Sequence, residues 1–554
     1  MHPVPQLSTL YNPLNFSTSQ NTSSLFTSLS LQARCALRFA MDPVHILLAS
    51  LILVMALMTV WAATHFFIAY VWWPRRIRRL MERQGVSGPP PAFMVGNLME
   101  MTKLRDQETV NDMGCFTHDI AHRILPHYIY NSQTYGKQFV MWWGVEPRLA
   151  VYQPELIKEM LYSHSYGKSE LQQKGNKDFI GKGVLMANGE EWAHQRRVVA
   201  PAFRIEKLKG HVNYMVECTS RMLDEFERIV RSGSEEIEIG EHLCKLAADI
   251  IARTEFGSSY EKGKKIFQQL NSLQKLSSKS GRYLWLPGNS FLPTSFNREI
   301  KKRKQQVESA LMEIIRARRD SVHVGRCTSY GNDLLGLILS SNDGEGVSLT
   351  NQQLMDECKT FFFTGQETTS LLMTWTIMLL ASSPHWQEKA RAEILEICQD
   401  SPPSFADLPK LKILGMILNE SLRLYTPASI LPRQAFEDVK LGELELPKGM
   451  SVWIPVLAIH HSKELWGEDA NEFNPQRFAE GVHKACKHQM GFLPFSTGPR
   501  TCVGQSFAIM EAKVVLAMIL SRFRFTLSPN YRHAPVCVLT LQPKHGVQII
   551  LEHL

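Results

Sequence analysis

The chain has 554 residues, 61 Lys+Arg against 53 Asp+Glu, and 44% hydrophobic residues. That excludes a collagen, a peptide hormone and a disordered chain, and at ~150 residues per domain it suggests three or four domains or one large one. The net charge, 61 − 53 = +8, is mild, and ten scattered cysteines with no CxxC pair argue against a disulfide scaffold, a zinc ribbon and a thioredoxin-like site.

In chain order, residues 1–40 are Ser/Thr-rich and carry no acid, with Arg34 and Arg38 as the charged residues. A transit peptide has that composition. The plainer reading takes Met41 as the start and 1–40 as a disordered extension or gene-model artefact. The glycosylation patterns at Asn15 and Asn21 carry little weight there. From Val44 to Trp73 thirty residues pass without Asp, Glu, Lys or Arg. A helix needs about 20 apolar residues to cross a bilayer, and a cleavable signal has an apolar core of only about 7–15, so 44–73 is expected to be a transmembrane anchor. Trp61, Tyr70, Trp72 and Trp73 suit an interfacial belt, and Arg75, Arg76, Arg78, Arg79 and Arg83 follow at once. The positive-inside rule then places the rest of the chain in the cytosol. Gly88-Pro89-Pro90-Pro91 reads as a stiff spacer, so 74–91 is expected to be a basic, Pro-rich linker to a domain at 92–554.

Helical patterns dominate that domain. Thr350 and Gln353 form a capping box at the start of a long helix from about Asn351 to Ser383, which Pro384 ends. Short alternating stretches at 138–151 and 534–551 predict small sheets beside a mainly α body. Near the C-terminus, Phe495-Ser-Thr-Gly498-Pro-Arg500-Thr-Cys502-Val-Gly504 precedes an apolar run from Gln505 to Leu520. Cys502 therefore sits where a Gly-rich loop meets a helix N-terminus, and Arg500 adds positive charge, an environment for an anionic sulfur ligand. A buried structural cysteine is the competing reading.

This segment resembles the haem-thiolate loop F-x-x-G-x-R-x-C-x-G of the cytochrome P-450 superfamily at every fixed position. Thr364-Gly365-Gln366-Glu367-Thr368-Thr369 resembles the family's oxygen-binding motif, with Thr364 for the usual Ala or Gly. Gly365 costs about 1 kcal/mol in a helix and leaves a notch for a flat cofactor; Glu367 and Thr368 are an adjacent acid and alcohol suited to relaying protons. Glu420-Ser-Leu-Arg423 resembles E-x-x-R. About two such matches arise by chance in a chain this long. Glu225/Arg228, Glu313/Arg316 and Glu388/Arg391 match too and are expected to be helix-surface pairs. Context favours Glu420, since Phe473-Asn-Pro475-Gln476-Arg477-Phe478 resembles the family's PERF segment. Trp192 and Arg196 resemble W-x-x-x-R and share a helix face that can bind carboxylates.

The resemblance implies a mainly α fold with small β-sheets behind one N-terminal transmembrane helix. Cys502 would ligate the iron of haem b (iron protoporphyrin IX). Phe495, Gly498, Gly504 and Gly365 would line the haem, and Trp192, Arg196, Arg433 and Arg500 would hold its propionates. Glu367 and Thr368 would be catalytic, while Glu420, Arg423 and Arg477 would form a structural ion network. Electrons would come from NADPH through a separate NADPH-cytochrome reductase in the endoplasmic reticulum membrane, with dioxygen and a small-molecule substrate but no nucleic acid. Stretches such as 176–203, 283–302, 330–339, 355–376 and 528–551 resemble the plant 72-clan, and within it the enzymes that hydroxylate the isopentenyl side chain of cytokinins. Relatives in the clan hydroxylate gibberellins, brassinosteroids or fatty acids. A haem-thiolate isomerase or dehydratase, or a membrane haem-binding adaptor, would not need the acid–alcohol pair.

Overall fold

The computed structural model describes residues 43–233, 235–257, 266, 269–270, 272–274, 276, 294–325, 328–331, 333–342 and 349–554. The expectations for residues 1–40 and Met41, and part of the matching stretch 283–302, lie outside the described residues. The described residues fall into two compact units, the first ending at Trp72 and the second spanning Trp73–Leu554.

In the first unit, α1 (Pro43–Phe67) continues as a π-helical turn, Ile68–Trp72. Twenty-five residues at 1.5 Å rise give about 38 Å, longer than the ~30 Å hydrocarbon core of a bilayer. Its apolar side chains are exposed on all sides; Leu47, Met58, Val60 and Trp61 are more than 60% accessible. A helix that is apolar all round and unburied suits lipid. Its hydroxyls bond within the helix, Ser50 Oγ to Leu47 O (2.8 Å), Thr59 Oγ1 to Ala56 O (2.7 Å) and Thr64 Oγ1 to Val60 O (2.8 Å), leaving little that needs water.

The second unit begins at Trp73, earlier than the domain start expected at 92, and takes in the stretch expected to be a linker. Its first helix, α2 (Trp73–Arg83), buries Ile77 and Met81 one turn apart in a cluster with Val140, Trp142, Leu149 and Val452. Nor is Gly88–Pro91 a free spacer. Ser87 O accepts from Val140 N–H (3.0 Å), and a Cβ on Gly88 would lie 1.9 Å from Val140 O. The basic stretch therefore belongs to the folded unit, because its apolar face at i, i+4 has a sheet to cover.

That unit is mainly helical with small sheets. Strands β1 (Gln138–Trp143), β2 (Glu146–Val151), β3 (Tyr166–Gly167), β5 (Leu431–Ala435) and β8 (Ser451–Ile454) form one sheet in the order β1-β2-β8-β5-β3, with β2 and β8 parallel. Strands β4 (Glu236–Glu238), β12 (Gln548–His553) and β9 (Phe523–Leu527) form a second. Hairpins β6 (Val439–Leu441) with β7 (Leu444–Leu446), and β10 (Pro535–Cys537) with β11 (Leu541–Pro543), stand apart. The helices that frame the site are α3 (Gly189–Val199), α4 (Ile205–Arg231), α5 (Ile239–Phe256), α6 (Asn351–Ala381), α7 (Pro384–Cys398), α8 (Lys412–Leu424) and α9 (Gln505–Arg522). Helix α6 opens on the expected capping box at Thr350 and Gln353 and is buried on nearly all sides, as the axial helix of a large core must be.

Candidate functional site

The Cys502 loop is held by its own backbone. Cys502 N–H donates to Phe495 O (3.0 Å), and Thr501 N–H and Oγ1 donate to Gly498 O (3.1 and 2.7 Å). Gly498 has φ +71°, and a Cβ there would lie 2.5 Å from Leu161 O, so the position requires glycine. Phe495 packs on the main core, and Gly504 caps α9. Cys502 is exposed by surface area, yet protein atoms crowd it enough that burial pushes its thiol up, against the Gly504 N–H and Arg196, which pull it down. Both hold if the sulfur faces a concavity. The helix terminus alone does not produce the expected thiolate; bound metal would, since coordination deprotonates a thiol.

Four cations gather near this loop. Burial lowers Arg433 to about 10; Arg500 is lowered to about 10 by burial and then by Arg433. Arg196 on α3 is lowered by burial, with Cys502 opposing. The fourth, Lys168, was not foreseen: burial first, then Arg433 and Arg500, drive it well below its ordinary value. Antiparallel pairing of β3 with β5, Gly167 opposite Gln434, brings Lys168 beside Arg433. Asn188 ties the group together. Its Oδ1 accepts from Lys168 N–H (2.8 Å) and an Arg500 N–H (3.1 Å), and its Nδ2 donates to Lys168 O (2.8 Å). Arg500 also stacks 4.7 Å from the Trp192 ring centre and donates to Ala187 O (2.8 Å). Among the described residues no carboxylate pairs with any of the four cations.

Behind the loop, Glu420 and Arg423 on α8 are fully buried and bidentate (2.7 and 2.8 Å). Arg423 also donates to the carbonyls of His460 (2.8 Å), Ala470 (2.5 Å) and Glu472 (3.2 Å), so all five N–H groups are satisfied. Asn474 N–H (3.0 Å) and Arg477 Nε (3.5 Å) complete Glu420. Sequence reasoning missed His460, whose Nε2 accepts from Leu493 N–H (2.9 Å) while Nδ1 meets Arg423 O (3.1 Å). That contact carries the network to within two residues of Phe495. Of the other E-x-x-R matches, Glu388/Arg391 is not a surface pair: Arg391 is buried and binds Leu520 O and Phe523 O (both 2.9 Å), tying α7 to the end of α9. Neither Glu225/Arg228 nor Glu313/Arg316 forms an ion pair among the described residues; Glu225 instead faces His242.

On α6, Thr364 Oγ1 donates to Thr360 O (2.8 Å) and Thr368 Oγ1 to Thr364 O (2.7 Å). The unusual Thr364 therefore adds little free polarity. A Cβ on Gly365 would lie 2.4 Å from Ile251 Cδ1 of α5. The glycine lets two helices approach closely, and Ile251 fills the direction expected to be a cofactor notch. Glu367 Oε1 accepts from Gln542 Nε2 (2.6 Å), Thr540 Oγ1 (2.7 Å) and Gln274 Nε2 (3.3 Å). Glu367 and Thr368 do not bond to each other, because successive residues on a helix diverge.

The sequence matches the family described as Cytochrome P450 over residues 113–549. The chain belongs to the cytochrome P450 family. It is 55% identical over 484 residues to a cytokinin hydroxylase of Arabidopsis thaliana, covering 87% of this chain and 93% of that protein. A second Arabidopsis cytokinin hydroxylase is 53% identical over 87% and 94%, and secologanin synthase 2 of Catharanthus roseus is 40% identical over 89% and 97%. The chain is thus a monooxygenase, mainly α with small sheets, that uses a haem iron, electrons from a redox partner, dioxygen and a small-molecule substrate.

The residues present fit the P450 haem. Clustered cations that are buried or half-buried without acids are costly unless an anion joins them. The dianionic propionate pair of a haem held by Cys502 would supply that anion. The Trp192 indole N–H and Arg196 have no protein acceptor among the described residues, as expected of groups reserved for a ligand. Nothing local marks Lys168 or Asn188 in the sequence; strand pairing reveals the first, and its hydrogen bonds to Lys168 and Arg500 the second.

Proposed function

We propose that this monooxygenase hydroxylates cytokinins at the isopentenyl side chain, giving trans-zeatin forms. The supporting observation is identity above one half to two cytokinin hydroxylases across 87% of the chain, against 40% to a secologanin synthase. Electrons come from NADPH through a separate flavoprotein reductase. The apolar helix α1 anchors the protein in the endoplasmic reticulum membrane, with the catalytic unit in the cytosol on the side of Arg75–Arg83.

Haem, when bound, supplies iron that activates dioxygen for insertion into a C–H bond. Cys502 is the residue that would hold the iron. Arg196, Arg433, Arg500, Lys168 and Trp192 would hold the propionates and so set the cofactor's orientation. The Glu420–Arg423–Arg477 network keeps the Cys502 loop in place through His460. Glu367 and Thr368 move protons to the oxygen site, with water bridging the gap between them.

The test uses the full chain with reductase. A thiolate-type reduced, CO-bound absorbance band is expected, lost in Cys502→Ala. NADPH-dependent hydroxylation is expected of isopentenyladenine, its riboside or its nucleotides. Turnover of a gibberellin or brassinosteroid, with none of any isopentenyl cytokinin, would overturn the substrate assignment.

A further inference from the structure

The hairpin β10–β11 is fixed to α6 from outside. Trp375 Nε1–H donates to Leu541 O (3.1 Å), and Leu541 N–H donates to Pro427 O (3.1 Å). Trp375 is fully buried and stacked on Tyr425 with ring centres 4.5 Å apart, so this anchor has little freedom. Trp375 lies two turns along α6 from Glu367. The hairpin docked there carries Thr540 and Gln542 to the carboxylate, and Gln542 Nε2 also reaches Thr540 Oγ1 (3.1 Å). Among the described residues every hydrogen-bond donor to this carboxylate lands on Oε1. Among the described residues, Oε2 has no hydrogen-bond partner. Thr368 shows the same division, its hydrogen engaged by Thr364 O and its lone pairs free to accept.

We propose that Thr540 and Gln542 are positioning residues for proton delivery: they grip Glu367 by Oε1 so that Oε2 stays free to exchange protons. An acid and an alcohol at successive helix positions point in different directions, and an unanchored glutamate would wander through its rotamers. Held by one oxygen, the carboxylate keeps the other on the water path towards Thr368. In each cycle Oε2 accepts a proton from solvent-derived water and releases it along that path, returning to the carboxylate. The proposal rests on the proton-delivery role given to Glu367.

The test uses the full chain with reductase and NADPH, measuring product and peroxide per NADPH, the solvent isotope effect on product formation, haem content and substrate dissociation constant. Thr540→Val, Gln542→Leu and the double variant should keep haem and substrate affinity. Product per NADPH should fall by about tenfold or more, the population factor carried by one lost hydrogen bond to a charged group. Peroxide and the isotope effect should rise. Thr540→Ser, which keeps the donor, should recover most of the coupling lost in Thr540→Val. On a Glu367→Gln background, Thr540→Val should add nothing. If Glu367→Gln uncouples turnover while the hairpin double variant stays coupled, the proposal fails and the role of Glu367 stands. Full coupling in Glu367→Gln sinks both. A change in substrate dissociation constant or product position, with coupling unaltered, makes the hairpin a substrate contact and also overturns the proposal.

Discussion

Arg423 places all five of its N–H groups on Glu420 and three backbone carbonyls, in a site with no exposure at all. Lys168, Arg196, Arg433 and Arg500 lie in the same folded unit and share no carboxylate among the described residues. Both groups hold charge drawn wholly or partly out of water, Arg433 buried and Lys168, Arg196 and Arg500 half-buried, but the first is closed and the second is open. A closed group holds the fold, since a buried ion is tolerated when every partner is present. An open group marks where a ligand of opposite charge belongs. Burial depresses Arg433, Arg500 and Lys168; Arg433 adds to the fall at Arg500, and Arg433 and Arg500 add to it at Lys168.

The sharpest way to break this contrast is to open the closed group. Glu420→Gln leaves the Arg423 charge buried with no counter-ion. Removing one partner of a buried pair costs about 3–5 kcal/mol, enough to consume much of the stability of an ordinary domain. Urea unfolding should show a loss of that order, or the variant should fail to accumulate as folded protein. A midpoint within error of wild type would mean that the network carries little of the fold.

Removing a charge from the open group should act with the opposite sign on the haem-free protein. Arg433→Leu takes away a guanidinium with one protein acceptor, Pro432 O, and relieves its pressure on Arg500 and Lys168. Haem-free protein is expected to be as stable as wild type or more so, by on the order of 1 kcal/mol. Haem retention should fall by about tenfold or more, following the loss of one charge-assisted bond. Lys168→Met should do the same more weakly, because a lysine gives a single point contact where arginine gives a fork. Haem transfer to an acceptor protein reads both. Loss of haem-free stability in step with haem affinity would place these residues in the closed class.

The closed group was legible in the sequence, as were three of the four cations of the open one; Lys168 was not. Glu420 and Arg423 are three residues apart on one helix, and Trp192 and Arg196 four, so local spacing makes each a candidate pair and the resemblance to the family's segments singles them out. The Cys502 loop is contiguous, and the capping box of α6 stands at its expected place. Lys168 is different. It reaches Arg433 through strand pairing between Gly167 and Gln434, 267 positions later (434 − 167), and no periodicity encodes that. Long separation likewise hid Ile251 against Gly365, the hairpin donors on Glu367, and the burial of Arg391 under α9. The basic run at 75–83 misled for the converse reason. Its charges are plain in the sequence, but the two apolar residues between them decide that α2 packs.

Glu357 lies between the two classes and gives the smallest effect. Its side chain is fully buried on α6 and both carboxylate oxygens share one donor, Val184 N–H (3.0 and 3.1 Å). Burial raises it to about 8; Val184 opposes, and Asp356 and Glu191 add to the rise. Lys359 does not relieve it, being bound to Asp356 (2.7 Å) and Glu308 (3.4 Å). The folded chain therefore holds a proton that the unfolded chain releases near 4.5, so stability falls as pH rises from about 4.5 to about 8 and levels off above. Between pH 6 and 8 the loss is on the order of 2 kcal/mol, since each pKa unit is worth about 1.4 kcal/mol. Glu357→Gln keeps an acceptor for Val184 N–H and removes the titration. Melting curves at pH 6 and pH 8 should show a smaller alkaline drop in the variant, by a few degrees at about 2–4 °C per kcal/mol. Equal drops in the two proteins would show that one backbone donor suffices to close a buried carboxylate, and the division between closed and open charge would then need only a single partner.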